Sequence, residues 1–237
     1  MIVLSEAGLL ATWEAGLGQN RVRRALTLAA AGGADPGSVA DLSVGRREAF
    51  VLALRERWFG RTLPCAVTCP ACAEHLELEL TTDDVRTDPS TEPEPTTVDG
   101  TEVEFRLVTS RDLIAVRPEL PDARRTLLRR CVVSATSRGR GVPAAALPDP
   151  VLDAVAAALS TLDPQADVLL DLDCVACGHG WRARFDVAAY LWEELDAYAR
   201  RLLHEVHALA SAYGWSEDEV LAVSPVRRRW YLEMAAS

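Results

Sequence analysis

The spacing of apolar residues predicts helices at the N-terminal end of the chain. Apolar side chains recur there at intervals of three and four residues, at Leu10, Trp13 and Leu17 and again at Val22, Leu26 and Ala29. This spacing places them on one face of a helix. A further helix is predicted from about Arg46 to Trp58, and Gly60 is a suitable residue to end it. These helices are expected to form a small core.

Alternation of apolar and polar residues predicts strands in the middle of the chain. Strands are expected at 76–80, 103–108 and 168–172, separated by helices at 123–133 and 150–162. Residues 87–97 are rich in Pro, Thr, Asp and Glu, which predicts an exposed linker. The glycines of 139–141 predict a loop.

The C-terminal end again has helical periodicity. A long helix is predicted over 190–212. Ser216 followed by Glu219 forms a capping box for a short helix, because each can satisfy a free backbone N–H group of the first turn. Ser224 and Pro225 are then a suitable cap and first residue for a last helix through Met234.

Two Cys-x-x-Cys motifs carry the clearest chemical signal, and they lie 105 positions apart. Each leads into an alternating strand pattern: Leu76, Leu78 and Leu80 follow the first motif, and Trp181, Ala183 and Phe185 follow the second. Zinc favours four tetrahedral ligands, and two cysteines at this spacing can present both sulfurs to one ion. We therefore predict one structural Zn²⁺, shared by the two halves of a split zinc ribbon, with the ligands Cys69, Cys72, Cys174 and Cys177.

Other interpretations of these motifs stay open. The 101 residues between Cys72 and Cys174 exceed the usual spacing of a zinc ribbon, so the motifs could be two separate reduced pairs or, less simply, a redox pair. His75 and His179 lie close enough in sequence to replace a ligand. Four cysteines would already close the site and leave no position for a catalytic water. Cys65 and Cys131 stand apart and are expected to be packing residues.

Charge is distributed unevenly along the chain, which has a formal net charge of -10. Residues 65–105 contain eleven Asp and Glu against Arg86, whereas 106–140 contain nine Arg against three acidic residues. A dominant negative field repels phosphate, which argues against nonspecific nucleic-acid binding. The N-terminus lacks the basic start of a secretory signal, and no apolar run of about 18 residues occurs. A cytoplasmic protein without a membrane segment is therefore expected.

Three further groups of residues suggest an activity or a binding surface. His204-Glu205-Val206-His207 resembles a metalloprotease signature, but its second histidine comes one residue too early. The Arg-rich last helix could belong to a helix-turn-helix unit, which makes a zinc-ribbon nucleic-acid-binding regulator the alternative function. A protein-binding face is preferred, because Trp, Tyr and Arg anchor interfaces. Its expected residues are Trp215, Arg227, Arg228 and Tyr231.

Several segments resemble a known family. They are Ala212-Tyr213-Gly214-Trp215-Ser216-Glu217 with Leu221, Ser224-Pro225, Arg227-Arg228 and Tyr231-Leu232, then Leu42-Ser43-Val44-Gly45-Arg46-Arg47 through Leu54-Arg55-Glu56 to Phe59-Gly60, Leu191-Trp192-Glu193-Glu194 and the cysteine pairs. This pattern resembles the baseplate hub assembly chaperones of T-even-type contractile phages and of phage-derived contractile injection systems. In this chain the second motif lacks the proline that follows Cys69, and Ala73 stands where glycine would ease the first turn.

The resemblance implies a non-enzymatic assembly factor, or a component, for a baseplate or hub. Its partners would be baseplate, hub or spike proteins of a contractile tail, and no catalytic residues are carried over. The fold expected is α+β, with helical N- and C-terminal regions around a split zinc-ribbon β unit that has a long α/β insertion. Four regions are expected. They are a helical N-terminal region at 1–64, a split zinc ribbon built from 65–86 and 166–189, a linker with an α/β insertion at 87–165, and a helical C-terminal region at 190–237.

Overall fold

The computed structural model describes residues 5–236; residues 1–4, on which part of the signal-peptide argument rests, and residue 237 lie outside this range. Its α-helices are α1 (Glu6–Gly16), α2 (Arg21–Ala31), α3 (Val44–Phe59), α4 (Thr82–Val85), α5 (Ser110–Ala115), α6 (Ala123–Cys131), α7 (Asp149–Leu162), α8 (Val187–Tyr213), α9 (Glu217–Ala222) and α10 (Pro225–Ala235). Its strands are β1 (Thr62–Thr68), β2 (His75–Thr81), β3 (Thr96–Val98), β4 (Thr101–Phe105), β5 (Val132–Ser137), β6 (Arg140–Gly141), β7 (Val168–Asp173) and β8 (Gly180–Phe185).

The expected α+β class is confirmed, with helices and antiparallel sheets in one chain. The chain divides into two compact units. One is the central unit, Asn20–Ala188, and the other is the terminal unit, which joins the chain up to Gln19 with the chain from Ala189 onward. The four regions expected from the sequence remain a prediction.

The central unit contains two two-stranded hairpins and one four-stranded sheet. The hairpins are β1–β2 and β7–β8, and the sheet has the order β3-β4-β5-β6. Helices α6 and α7 pack together with this sheet. Their apolar side chains share a core, whose fully buried members include Val103, Cys131, Val151, Leu152 and Val155. The predicted insertion therefore has a hydrophobic core of its own.

Helix and hairpin follow one another twice in the central unit. Helix α3 precedes β1–β2, and α7 precedes β7–β8, with the first residues Val44 and Asp149 again 105 positions apart. The alternation of half-buried and exposed positions runs through all four hairpin strands. One side of each hairpin is thus more buried than the other, as a period of two requires.

A buried carboxylate fixes the start of α3. The backbone N–H of Gly45 donates to Asp163 at 3.0 Å, and a Cβ atom on Gly45 would lie 2.0 Å from the second oxygen of that carboxylate. The hydroxyl of Ser90 also donates to Asp163. Because Ser90 is buried, the segment 87–97 differs at this point from the exposed linker that the sequence predicts.

The terminal unit consists of α1, α9, α10 and most of α8. The indole of Trp13 donates to Asp196 at 2.8 Å. A Cβ atom on Gly16 would lie 2.2 Å from the ring of Trp192, so glycine permits this close approach. The predicted capping box at Ser216 is present, with Glu219 accepting from the Ser216 N–H group at 2.8 Å.

Two features of the elements differ from the expectations. Strands β1 and β5 were not predicted, because their mixed composition has no clear alternation of apolar and polar residues. In α2 the buried residues are Ala25, Leu28 and Ala29, so of the predicted apolar positions Ala29 is buried, whereas Val22 and Leu26 are half-buried. This helix packs against α3, where small alanines allow a close approach.

Candidate metal centre

Each Cys-x-x-Cys motif forms the tight turn that joins the two strands of a hairpin. In the first turn the N–H of Ala73 donates to the carbonyl of Cys69 at 3.0 Å. In the second the N–H of Gly178 donates to the carbonyl of Cys174 at 2.8 Å. Each first cysteine also donates its N–H to the carbonyl five residues on, at 2.9 Å in both turns. The two turns therefore have the same backbone hydrogen bonds.

The residue directly after the second cysteine has a positive φ in both turns. Ala73 has φ of 60° and Gly178 has φ of 71°. Glycine adopts this left-handed region freely, whereas a Cβ atom is strained there. Ala73 therefore lies at a position where glycine would ease the first turn, as the sequence suggests.

The four cysteine sulfurs come together between the two turns. All four Sγ atoms lie within 4.8 Å of one another. The distance from Cys69 to Cys177 is 3.8 Å, and that from Cys72 to Cys174 is 3.6 Å. All four thiols are free, and these separations far exceed a disulfide bond of about 2.05 Å. The four cysteines are therefore placed to hold one metal ion.

These distances fit a tetrahedral thiolate site. Four sulfurs bound at about 2.3 Å from a tetrahedral Zn²⁺ would lie about 3.8 Å apart. The two short sulfur distances, 3.8 and 3.6 Å, match this value. Soft thiolate donors in this geometry favour Zn²⁺ or an iron–sulfur centre over hard oxygen-seeking ions.

The two cysteines of each motif differ in their exposure. Cys69 and Cys174 are buried, and with Leu76 they form a small cluster against which Val67 and Trp181 pack. Cys72 and Cys177 are exposed. Burial raises the pKa of Cys69, but backbone hydrogen bonds from Cys72 and Ala71, together with hydrogen bonds from the Cys72 and Cys174 thiols, outweigh it and lower that pKa to about 7. These N–H donors favour the thiolate form that a metal requires.

The two nearby histidines lie outside this group of four sulfurs. His75 Nδ1 is 3.2 Å from the hydroxyl of Thr68, and the ring of His179 stacks on Trp181. The two remaining cysteines are also apart from it: Cys131 is fully buried among apolar residues, and burial raises its pKa to about 11, while Cys65 is half-buried.

The residues expected to bind a partner lie on α10 and beside it, but not all of them are accessible. Arg228 is only 1 % exposed, and its guanidinium contacts Glu6 at 2.7 Å and Glu205 at 3.0 Å. The structure thus gives Arg228 an internal role, because its charge is already matched. Trp215 and Tyr231 are half-buried and contact one another edge to face. Arg227 is exposed.

The ion pair of Arg228 also involves the 204–207 motif that resembles a metalloprotease signature. Glu205, its central acid, accepts from Arg228. His204 and His207 are exposed on the same helix, α8. The motif therefore takes part in packing α10 against α8.

A cavity of about 490 Å³ in the central unit was missed by the sequence reasoning. Its wall includes a buried ion pair in which Arg47 donates to Glu48 at 3.0 Å, while Arg47 also donates to Ser110 at 2.8 Å. Burial raises the pKa of Glu48 despite this neighbouring arginine. No simple sequence signal marks this pair, because consecutive charged residues in a helix usually face solvent.

The segment that contains the four cysteines matches a known protein family. The family model described as T4 bacteriophage base plate protein matches residues 30–182. This range contains all four cysteines and the whole insertion, whereas the C-terminal motifs that suggested the resemblance lie beyond it. Searches of the curated proteins and of the solved structures gave no match. Within residues 5–236, no helix is both long and apolar enough to span a membrane.

Proposed function

The chain belongs to the T4 bacteriophage base plate protein family, and from this premise we propose that it is a non-enzymatic assembly factor of the chaperone type. Family membership supports a baseplate-related structural or assembly role and contact with other baseplate components. The proposed system is the contractile tail of a phage or a phage-derived contractile injection system. Hub or spike proteins are the proposed partners, and the bacterial cytoplasm, where tails assemble, is the proposed location.

The observation that carries the proposal is the family match over a segment organised around four converging cysteines. The metal is proposed to be Zn²⁺ in a split zinc ribbon, because four thiolates at these separations suit its tetrahedral geometry. Four protein ligands leave no open position for water or substrate. The ion would therefore stabilise the central unit by joining chain segments about a hundred residues apart, a large loop to close.

The charge of the chain supports a protein partner over a nucleic acid. The formal net charge is -10, and a field of this sign repels phosphate. The alternative nucleic-acid-binding regulator would have to use the Arg-rich last helix, yet its middle arginine, Arg228, is buried in an internal ion pair. Protein binding is the function that the accessible surface supports better.

Deletion of the gene tests this function directly. A chaperone is required for assembly but is absent from the finished particle, so deletion should abolish sheathed tails while mass spectrometry of wild-type tails detects none of this protein. Complementation with the unaltered gene provides the control. Stoichiometric amounts in purified particles would identify a baseplate component, and normal tails after deletion would refute the assembly role. Strong, salt-dependent DNA binding by the purified chain would favour the regulator.

A further inference from the structure

Helix α10 has an inner face that is held firmly within the terminal unit. Arg228 lies on this face and reaches Glu6, Glu205 and the carbonyl of Val223, the last at 2.9 Å. Tyr231 and Leu232 pack against an apolar cluster that includes Leu209 and Val220. A buried arginine bonded to two carboxylates and a carbonyl is costly to displace. The helix is therefore fixed in orientation.

The outer face of α10 presents apolar side chains to solvent. Val226, Trp230 and Met234 are 71 %, 64 % and 57 % exposed. They are four residues apart, so they form one stripe along the helix. Single exposed apolar residues are common on proteins, but three in register on an anchored helix form a patch of the kind that marks interaction sites.

Two arginines flank this stripe. Arg227 and Arg229 are exposed, and neither forms a salt bridge with any of residues 5–236. Arg227 Nε makes a long, 3.4 Å hydrogen bond to the hydroxyl of Ser224, which leaves the guanidinium charge unmatched by any carboxylate of residues 5–236. Arg227 thus lies on one side of the stripe, and Arg229 lies on the other, followed one turn later by the exposed Glu233. The two arginines leave this face with a net positive charge in a chain whose net charge is -10.

We infer that the outer face of α10, formed by Val226, Trp230 and Met234 between Arg227 and Arg229, docks into an apolar groove with an acidic rim on another baseplate protein. This inference rests on the proposed function. The apolar stripe supplies anchors with i, i+4 and i+8 spacing, as in other helix-in-groove interfaces. A tryptophan at the centre of such a stripe is a typical energetic hot spot. The arginines match an acidic rim and orient the helix in the groove.

The charges argue against two other occupants of this face. In a symmetric dimer the interface would gather four arginines against only two Glu233 carboxylates, and this excess of like charge opposes contact. Anionic lipid would attract Arg227 and Arg229, but it would repel the acidic first turn of α9, formed by Glu217, Asp218 and Glu219, and the net negative chain. An apolar groove on a protein that is acidic only at its rim would pair with the arginines without bringing like charges together and without repelling the rest of this acidic chain.

Affinity measurements with matched variants test the surface. The full chain is titrated by calorimetry against each purified baseplate and hub protein encoded with the same tail. For the protein that binds, Trp230→Ala should weaken binding at least about 30-fold and Val226→Ala about 5-fold. Val133→Ala, which alters a valine with 58 % exposure on the central unit, should leave the affinity unchanged. Unaltered circular dichroism would show that each variant is folded.

The arginines are tested by charge reversal. Arg227→Glu together with Arg229→Glu should weaken binding about 10-fold at low salt and reduce its salt dependence, whereas the exposed pair Arg138→Glu and Arg140→Glu should have no effect. If a baseplate protein binds but tolerates all α10 changes, this surface is refuted and the assembly function stands. If no baseplate protein binds and deletion leaves tails intact, both proposals fail. A concentration-dependent dimer or vesicle binding lost in Trp230→Ala would identify a different occupant and overturn the inference.

Discussion

The hairpins β1–β2 and β7–β8 have the same turn structure but differ in many of their other residues. Both end in a turn that directs two sulfurs to one point, and both turns have the same two backbone hydrogen bonds. The first turn strains Ala73 at a φ of 60°, while the second uses Gly178 at 71°. Outside the turns, Asp171 and Arg182 form an exposed ion pair in the second hairpin. The equivalent positions in the first are Ala66 and Glu77.

What the two hairpins share is the part that metal binding requires, and what differs lies outside it. The sulfur positions depend on the turn backbone and on burial of Cys69 and Cys174. The exposed strand residues have no such constraint, so an ion pair can stand in one hairpin and an alanine and a glutamate in the other. The backbone of the turn and the burial of the first cysteine are therefore the features that the metal site requires.

Loss of a buried ligand should have the largest effect. Cys174→Ser is expected to abolish stoichiometric metal binding and to lower the free energy of unfolding by at least the cost of a typical core truncation, about 2–5 kcal/mol. The hairpin tips otherwise share only a small buried cluster. Metal analysis and urea unfolding measure both effects. Cys65→Ser is the control, and equal metal content in the two variants would contradict a shared site.

Removal of the metal should affect both hairpins together. A strong chelator is expected to increase amide hydrogen exchange at residues 69–74 and 174–179 in parallel, because one ion bound by all four sulfurs would hold both turns. Strands β4 and β5 should keep their protection, since their core is formed by separate apolar residues. Exchange that changes in only one turn would show that the motifs act independently.

The strained turn residue should give opposite effects in the two hairpins. Gly178→Ala is expected to destabilise the metal-bound protein by about 1 kcal/mol, and Ala73→Gly to stabilise it by up to about the same amount. A Cβ on Gly178 would meet no atom within 4 Å, so the effect isolates backbone strain. Urea unfolding measures both. Gly141→Ala, another open position but without a positive φ, is the control; effects of the same sign at 73 and 178 would refute equivalent turns.

The ion pair of the second hairpin should have the smallest effect. Asp171 and Arg182 are directly opposite one another, but their side chains are 80 % and 68 % exposed. A double-mutant cycle with Asp171→Asn and Arg182→Gln should give a coupling of about 0.2–1 kcal/mol that declines in salt. The cycle Ala66→Gly with Glu77→Gln should show none. A coupling well above 1 kcal/mol would mean that this pair helps to hold the hairpin.

Local patterns were sufficient for the elements whose cause is local. The spacing of apolar residues predicted α3, α7 and α8, and the alternation at 76–80 predicted β2. The equal context of the two cysteine motifs suggested that they converge, although 101 residues separate them. Helical periodicity and turn spacing reflect backbone geometry within a few residues, which is why they can be recognised without the fold.

Long-range contacts decided the rest. Ser90 lies in a segment with the composition of a linker, yet it is buried because Asp163 accepts its hydroxyl. Strand β5 forms because β4 offers it a partner, which no local pattern records. The cavity beside Arg47 and Glu48 likewise arises from elements distant in sequence. In each case the stabilising group comes from elsewhere in the chain.

The amino-acid sequence alone determined that helices and hairpins alternate, that two cysteine pairs occupy equivalent turns, and that α10 begins at Ser224 and Pro225. Only the tertiary structure decided how each side chain is used. It buries Arg228 against Glu6 and Glu205 and leaves Val226 and Trp230 in solvent. The physical reason is that periodicity states which residues share a helix face, whereas the position of the other helices decides which face is buried.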